Sequence, residues 1–172
     1  AISHRGPDSN GSWQDSNVGI FFGHQRLSIL DLSTAGNQPM RSISGQFIIT
    51  YNGEIYNHLE IREEIEKKNS DLKWRSNSDT ETLLEAIGTW GIDTTLKKIE
   101  GMFAFGIWDR KKRSLILARD RIGEKPLYYG WQGNTFLFGS ELKSFYPHPD
   151  FKKEINNDAL NSLLRYYNVS AP

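Results

Sequence analysis

A few short segments set hydrogen-bonding or charged residues beside the punctuation of the chain. In "GHQRLSILD", Arg26 precedes an apolar run, where a guanidinium can offer two parallel hydrogen bonds to a carboxylate. A surface ion pair is the plainer reading of the same residue. In "YNGE", Asn52 carries a side-chain N–H and Gly53 a backbone N–H with no side chain in the way. Two such donors converging on one point are what a developing oxyanion requires, although Asn-Gly is also a leading turn dipeptide and needs no ligand to explain it. Asp79 opens a helical pattern, where a carboxylate suits the positive end of the helix; used functionally, it would bind an ammonium instead. "RGPD" reads as a turn set by Gly6 and Pro7 and tied by an Arg5–Asp8 ion pair. Taken together, an arginine fork, an acid and a pair of oxyanion donors would form a receptor for an amino acid zwitterion whose side-chain carbonyl is under attack.

Composition narrows the surroundings of such a site. The 172 residues carry 21 basic and 21 acidic side chains, so no net charge draws the chain to nucleic acid or to an anionic membrane. No apolar run approaches the roughly 18 residues of a membrane span, and "AISHRGPDSN" lacks the order of a signal peptide. A cytoplasmic protein with no nucleic-acid or membrane partner is expected. There is no cysteine, and His4, His24, His58 and His148 show no ligand-like spacing, so neither a metal nor another cofactor is expected in this domain.

The elements that must position these residues are legible from period and punctuation. Val18 to Phe22 and Leu27 to Leu30 read as short strands around "GHQR", and Gln46 to Tyr51 as a third. Asn57 can cap a helix from His58 to Lys68, with Ile61 and Ile65 on one face and an Arg62–Glu66 pair on another. "SDTE" at Ser78 is a capping box for a helix from Asp79 to Trp90, and Gly91 suits its C-cap. From Met102 onward "MFAFGIWD", "SLILARD", "LYYGW" and "TFLFGS" predict hairpins, with Arg110 to Arg113 as a solvated turn. Several strands are apolar on both faces, which predicts an α+β sandwich of two antiparallel sheets with helices outside. Residues 1–155 form that domain, and the helical pattern at Leu160, Leu163 and Leu164 makes 156–172 the start of a connection to something further on.

With these segments in view, the chain resembles the glutamine-hydrolysing domain of class II glutamine amidotransferases, most closely the asparagine synthetase branch. The resemblance rests on "HRGPD", "GHQRLSILDLS" with "GNQPM", "YNGEIYN", "SDTE", "EGMFAFGIWD", "ARDRIGEKPLYYG" and "FGSELKSF", in that order. It implies an αββα N-terminal-nucleophile hydrolase sandwich. It also implies roles: Arg26 holds the α-carboxylate of glutamine, and Leu27, Ser28, Ile29 and Leu30 line the same site. Asp79 holds the α-ammonium with Glu54 beside it, while Asn52 and Gly53 form the oxyanion hole.

In that family the nucleophile is an N-terminal cysteine whose own α-amine, titrating at about 7.7–8.0, handles the proton. This chain begins at Ala1 and has no cysteine, so these roles lack their nucleophile; a first strand bearing it is expected ahead of Ala1. The parent is then a glutaminase coupled to ATP-dependent amidation of aspartate, with ATP and magnesium bound only by a synthetase domain outside these residues. That domain is the expected partner, and homodimerisation is left open. Two alternatives stand beside it: an amidotransferase serving another acceptor, such as a sugar acid in polysaccharide assembly, and a non-catalytic amino-acid-binding or interaction domain that has lost its nucleophile.

Overall fold

Isoleucine and aromatic residues on alternate faces of a long run build the central strand, and the rest of the chain is arranged around it. The computed structural model describes residues 2–28 and 31–169. In chain order the elements are β1 (Ser9–Asp15), β2 (Ile20–Arg26), β3 (Met40–Arg41), β4 (Phe47–Ile55), α1 (His58–Lys68), α2 (Asp79–Trp90) and α3 (Ile92–Lys98). There follow β5 (Gly101–Asp109), β6 (Ser114–Arg119), β7 (Tyr128–Gln132), β8 (Thr135–Gly139) and α4 (Asn157–Tyr166).

The strands β3-β4-β5-β6 form an antiparallel sheet, and β1-β2 and β7-β8 are separate hairpins. One face of the four-stranded sheet presents Ile49, Tyr51, Ile55, Phe105 and Ile107 to Ile61 and Ile65 of α1 and Leu83, Leu84 and Ile87 of α2. The other face presents Ile48 and Trp108 to Phe22 of β2, with Trp13 and Phe138 closing the cluster. This is the two-layer sandwich that double-sided apolar strands require, since each buried aliphatic or aromatic side chain contributes roughly 1.5–3 kcal/mol. The two predicted helices of the first half occur with the expected bounds. α4 also forms where its leucine spacing predicts, but none of its residues is buried.

Several local expectations are corrected. Ile20 to Arg26 is one strand that runs through "GHQR" rather than two flanking it, and Leu27 and Ser28 lie beyond its end; Ile29 and Leu30 are outside the described residues. Its partner β1, "SNGSWQD", carries no strand signal of its own because it is polar and half-exposed along its length. α3 is a further element that the sequence pattern does not announce.

Asn52-Gly53 is not a turn. Both residues lie in β4, opposite Ala104 and Phe103 of β5 in an unbroken register from Phe47↔Asp109 to Ile55↔Gly101. The ladder to β5 satisfies the backbone more fully than a two-residue turn could, so the tertiary partner overrides the dipeptide preference. The expected Arg5–Asp8 ion pair is absent among the described residues: Arg5 Nε lies 3.2 Å from Glu141, and Asp8 Oδ2 accepts from the Ser28 N–H at 2.7 Å.

The helix ends also differ from expectation. Asn57 does not cap α1. Its side chain donates to the Lys98 carbonyl at 2.9 Å and accepts from the Glu100 N–H at 2.9 Å, tying the start of α1 to the end of α3. Arg62 leaves Glu66, which accepts from Trp74 Nε1 at 2.7 Å, and turns inward instead. Ser78 Oγ does accept from the Thr80 N–H at 3.1 Å, but Glu81 bonds Arg75 and Ser76 rather than closing a capping box. In each case the side chain pairs with backbone groups of another segment rather than completing its local motif. The turn at Arg110 to Arg113 is exposed as expected, with the Lys111 and Lys112 N–H groups bonded to Asp109 Oδ1 at 2.9 and 3.0 Å.

Candidate active site

The site is assembled where the first turn of α2 meets one edge of β4. Positions of even number on β4 bond toward β5, a pattern continued by the Tyr56 N–H to the Glu100 carbonyl at 2.7 Å. Odd positions therefore aim their N–H groups at the opposite edge. β3 covers that edge only at Ile48 and Ile49. Beyond it, the Tyr51 N–H donates to Gln38 Oε1 at 2.7 Å, and the Ile55 N–H donates to Asp79 Oδ2 at 2.9 Å. Gly53 lies between these two, its N–H directed the same way by the same alternation, with no acceptor among the described residues.

Gly53 is also the position where the backbone must come close. A Cβ there would run into the Met102 carbonyl oxygen and lie 2.7 Å from Phe103 Cα. Next to it, Asn52 Nδ2 reaches Ser140 Oγ at 3.3 Å, which holds the amide at the mouth of β8.

Asp79 is buried and accepts from both Tyr51 Oη, at 2.7 Å, and the Ile55 N–H. Both donors fall on the same oxygen. The turn that carries Asp79 is held from behind by Arg62, whose Nε donates to Thr82 Oγ1 at 2.7 Å. Its Nη2 donates to the Ser76 and Ser78 carbonyls at 2.9 Å each. Glu81, fully buried, accepts from the Ser76 N–H and Oγ at 2.8 Å and from Arg75 Nε at 3.0 Å. Burial alone would raise the Glu81 pKa, but these donors hold it below the usual carboxylate value.

Arg26 is buried, so the surface ion pair is excluded. Its Nη1 donates to the Ser33 carbonyl and to Asn37 Oδ1, both at 2.8 Å, and its Nη2 donates to the Asp31 carbonyl. The guanidinium thus anchors the 31–37 loop. Its Nε–H and a second Nη2–H have no acceptor among the described residues, and these are neighbouring donors of the fork.

Arg26, Leu27, Asn52, Gly53, Glu54 and Asp79 line one cleft of about 980 Å³. The structure thus brings together an arginine, a carboxylate and the Asn52–Gly53 pair, which are more than 25 positions apart in the chain at their closest. Ser28 is not part of the lining; Ile29 and Leu30 are outside the described residues. The residues that sequence reasoning missed are Gln38, Tyr51, Arg62 and His24. Gln38 and Tyr51 stand inside quoted motifs, but no spacing rule connects them across the sheet edge.

His24 lines the same cleft, with Nδ1 3.2 Å from Thr50 Oγ1. Burial, reinforced by the Arg26 charge, lowers its pKa to about 4. The unfolded chain takes up a proton near pH 6.5 that the folded chain refuses until about pH 4. Stability contributed by the neutral ring is therefore complete above the unfolded pKa and is lost as pH falls between the two values. His24→Gln is expected to flatten this slope. Urea unfolding at pH 7 and pH 4.5 should show the wild type losing about 2–3 kcal/mol more than the variant.

The whole chain, residues 1–172, matches the family model described as a glutamine amidotransferase domain, and the chain belongs to that family. Among its relatives, asparagine synthetase [glutamine-hydrolyzing] 3 of Bacillus subtilis is 38% identical over 165 residues, covering 95% of this chain and 26% of that protein. Putative asparagine synthetase [glutamine-hydrolyzing] 2 of Methanocaldococcus jannaschii is 41% identical over 190 residues, covering 100% of this chain and 36% of that protein. Among solved structures, the glutamine phosphoribosylpyrophosphate amidotransferase from B. subtilis aligns with a TM-score of 0.59 at 25% identity, over 72% of this chain and 28% of that one. The sandwich is thus an N-terminal-nucleophile hydrolase fold of the glutamine amidotransferase kind. The chain spans only 26% and 36% of the length of the two synthetases.

Proposed function

We propose that the cleft receives L-glutamine in the glutaminase domain of an asparagine synthetase-like enzyme. The observation that carries this reading is the edge of β4: of its outward N–H groups at 51, 53 and 55, two are capped by Gln38 and Asp79, and Gly53 stands between them. A carbonyl oxygen entering there would meet the Gly53 N–H and the Asn52 amide together. Asp79 on one side supplies an anion for the α-ammonium, and the remaining donors of Arg26 supply a fork for the α-carboxylate. As negative charge develops on the amide oxygen, the two donors strengthen their hold, and each such donor is typically worth roughly 10²–10³ in rate.

The attacking group is a thiol, and the 172 residues contain no cysteine. In this reading the thiol belongs to the parent protein outside these residues, as does the domain that consumes the ammonia in ATP- and magnesium-dependent amidation of aspartate. Residues 1–155 are the glutaminase unit of that cytoplasmic parent, and 156–172 lead out of it, which suits an α4 that buries nothing.

Binding separates from turnover in this chain, and that provides the test. Titration followed by ¹⁵N-resolved NMR is expected to place L-glutamine at Gly53, Ile55 and Asp79, with no ammonia released. Asp79→Asn is expected to weaken glutamine at least tenfold, because the ammonium loses the carboxylate that faces it from the first turn of α2. Wild-type chain that shows no shifts at these residues with millimolar glutamine would end this reading.

A further inference from the structure

Tyr51 is a core residue by position, with its ring packed among Ile49, Ile55 and the leucines of α2, and it is almost wholly buried. A phenylalanine would serve that packing equally well. The hydroxyl is therefore unexplained by the core, and it goes to one place: Asp79 Oδ2, at 2.7 Å. The Ile55 N–H reaches the same oxygen from the end of the strand. A carboxylate held through one oxygen by two donors from different directions cannot rotate without losing both, so its other oxygen, Oδ1, has a set direction.

Tyr51 is fixed in turn. Its own N–H donates to Gln38 Oε1, and Gln38 Nε2 lies 3.4 Å from Thr80 Oγ1, one residue after Asp79. The loop Tyr51–Gln38–Thr80–Asp79 closes on itself between strand and helix, and the two oxyanion donors follow directly as Asn52 and Gly53. Burial, with the Asp79 charge beside it, raises the Tyr51 pKa well above the usual tyrosine value, so the phenol stays a donor throughout the working range.

We propose that Tyr51 is a positioning residue for ammonium recognition: through Asp79 Oδ2 it turns Oδ1 toward the α-ammonium of the ligand, and it keys that contact to the neighbouring Asn52–Gly53 donors. The proposal rests on the cleft taking glutamine. It requires that removing the hydroxyl cost selectivity for the ammonium rather than affinity in general.

The ligand pair that isolates this is L-glutamine and glutaramate, which keeps the carboxylate and the amide but has no ammonium. On the 172-residue chain, Tyr51→Phe is expected to lower glutamine affinity about tenfold while changing glutaramate less than about twofold. Adding Asp79→Asn to Tyr51→Phe should cost no more than Asp79→Asn alone, because both act on one contact. Equal weakening of the two ligands by Tyr51→Phe would overturn the proposal and leave the glutamine reading standing. Wild-type chain that binds neither ligand would instead overturn that reading, and the proposal with it. A measurement without any variant stands beside these: the Tyr51 hydroxyl proton in the wild-type NMR spectrum should shift with glutamine and stay in place with glutaramate. A proton that glutamine leaves unmoved overturns the proposal.

Discussion

Gly53→Ala is expected to destabilise the domain by about 3 kcal/mol and to abolish measurable glutamine binding. The added methyl meets the Met102 carbonyl oxygen and Phe103 Cα of the facing strand, and both are backbone atoms that cannot rotate aside. Relief requires β4 and β5 to separate at the seventh pair of their nine-pair ladder. That displacement moves the Gly53 N–H and the Asn52 side chain, the two donors of the cleft, so stability and binding fall together. Chemical unfolding and a glutamine titration on the same sample provide the check. An alanine variant within about 1 kcal/mol of wild type that still binds glutamine would show that the strand accommodates a Cβ and that the tight approach at this position has no bearing on the site. Gly88 is the internal control: it lies in α2, where an added Cβ would meet nothing within 4 Å, so Gly88→Ala is expected to be neutral or slightly stabilising.

Arg62→Leu is expected to cost about 3–4 kcal/mol and to lower the melting temperature by roughly 10 °C for a domain of this size. The guanidinium is buried, stacks 4.2 Å from the centre of the Trp74 ring, and donates to two carbonyls and one hydroxyl around the start of α2. Leucine fills the volume but leaves those acceptors without donors, and buried acceptors left unpaired cost about 1–3 kcal/mol each before relaxation. Arg62→Lys restores the charge and not the planar fork, so it should recover less than half of the loss. Because the Ser78 carbonyl immediately precedes Asp79, both variants should also weaken glutamine. Thermal unfolding by circular dichroism tests the first point; a loss below about 1 kcal/mol for Arg62→Leu would show that water or neighbouring donors replace the guanidinium.

Sequence period is informative wherever burial is one-sided or complete. α1 and α2 have the expected ends because Ile61, Ile65, Leu83 and Ile87 recur at helical spacing between clear stop signals, and the later hairpins are marked by double-sided apolar strands. β1 is invisible to such a reading because Trp13 is its one large apolar residue and the rest are small or polar; what makes it a strand is its neighbour β2, not its own composition. The same reason explains the local roles that the structure corrects. Asn52-Gly53, Asn57 and Arg62 each had a sound short-range role available, and each was drawn to a partner far along the chain that offered more hydrogen bonds.

The sequence by itself determined which chemical groups these 172 residues offer: an arginine beside an apolar run, an acid at a helix start and an Asn-Gly pair, with no cysteine among them. It also determined the sandwich, because apolar residues on two faces of a strand must be covered twice. Only the tertiary structure decided that Gly53 is the outward N–H on the β4 edge with no acceptor among the described residues, and that Tyr51 and Gln38 line the same cleft. Those facts depend on which groups face one another across a sheet edge and a helix end. Hydrogen bonds act over about 3 Å, and separation along the chain does not determine such distances.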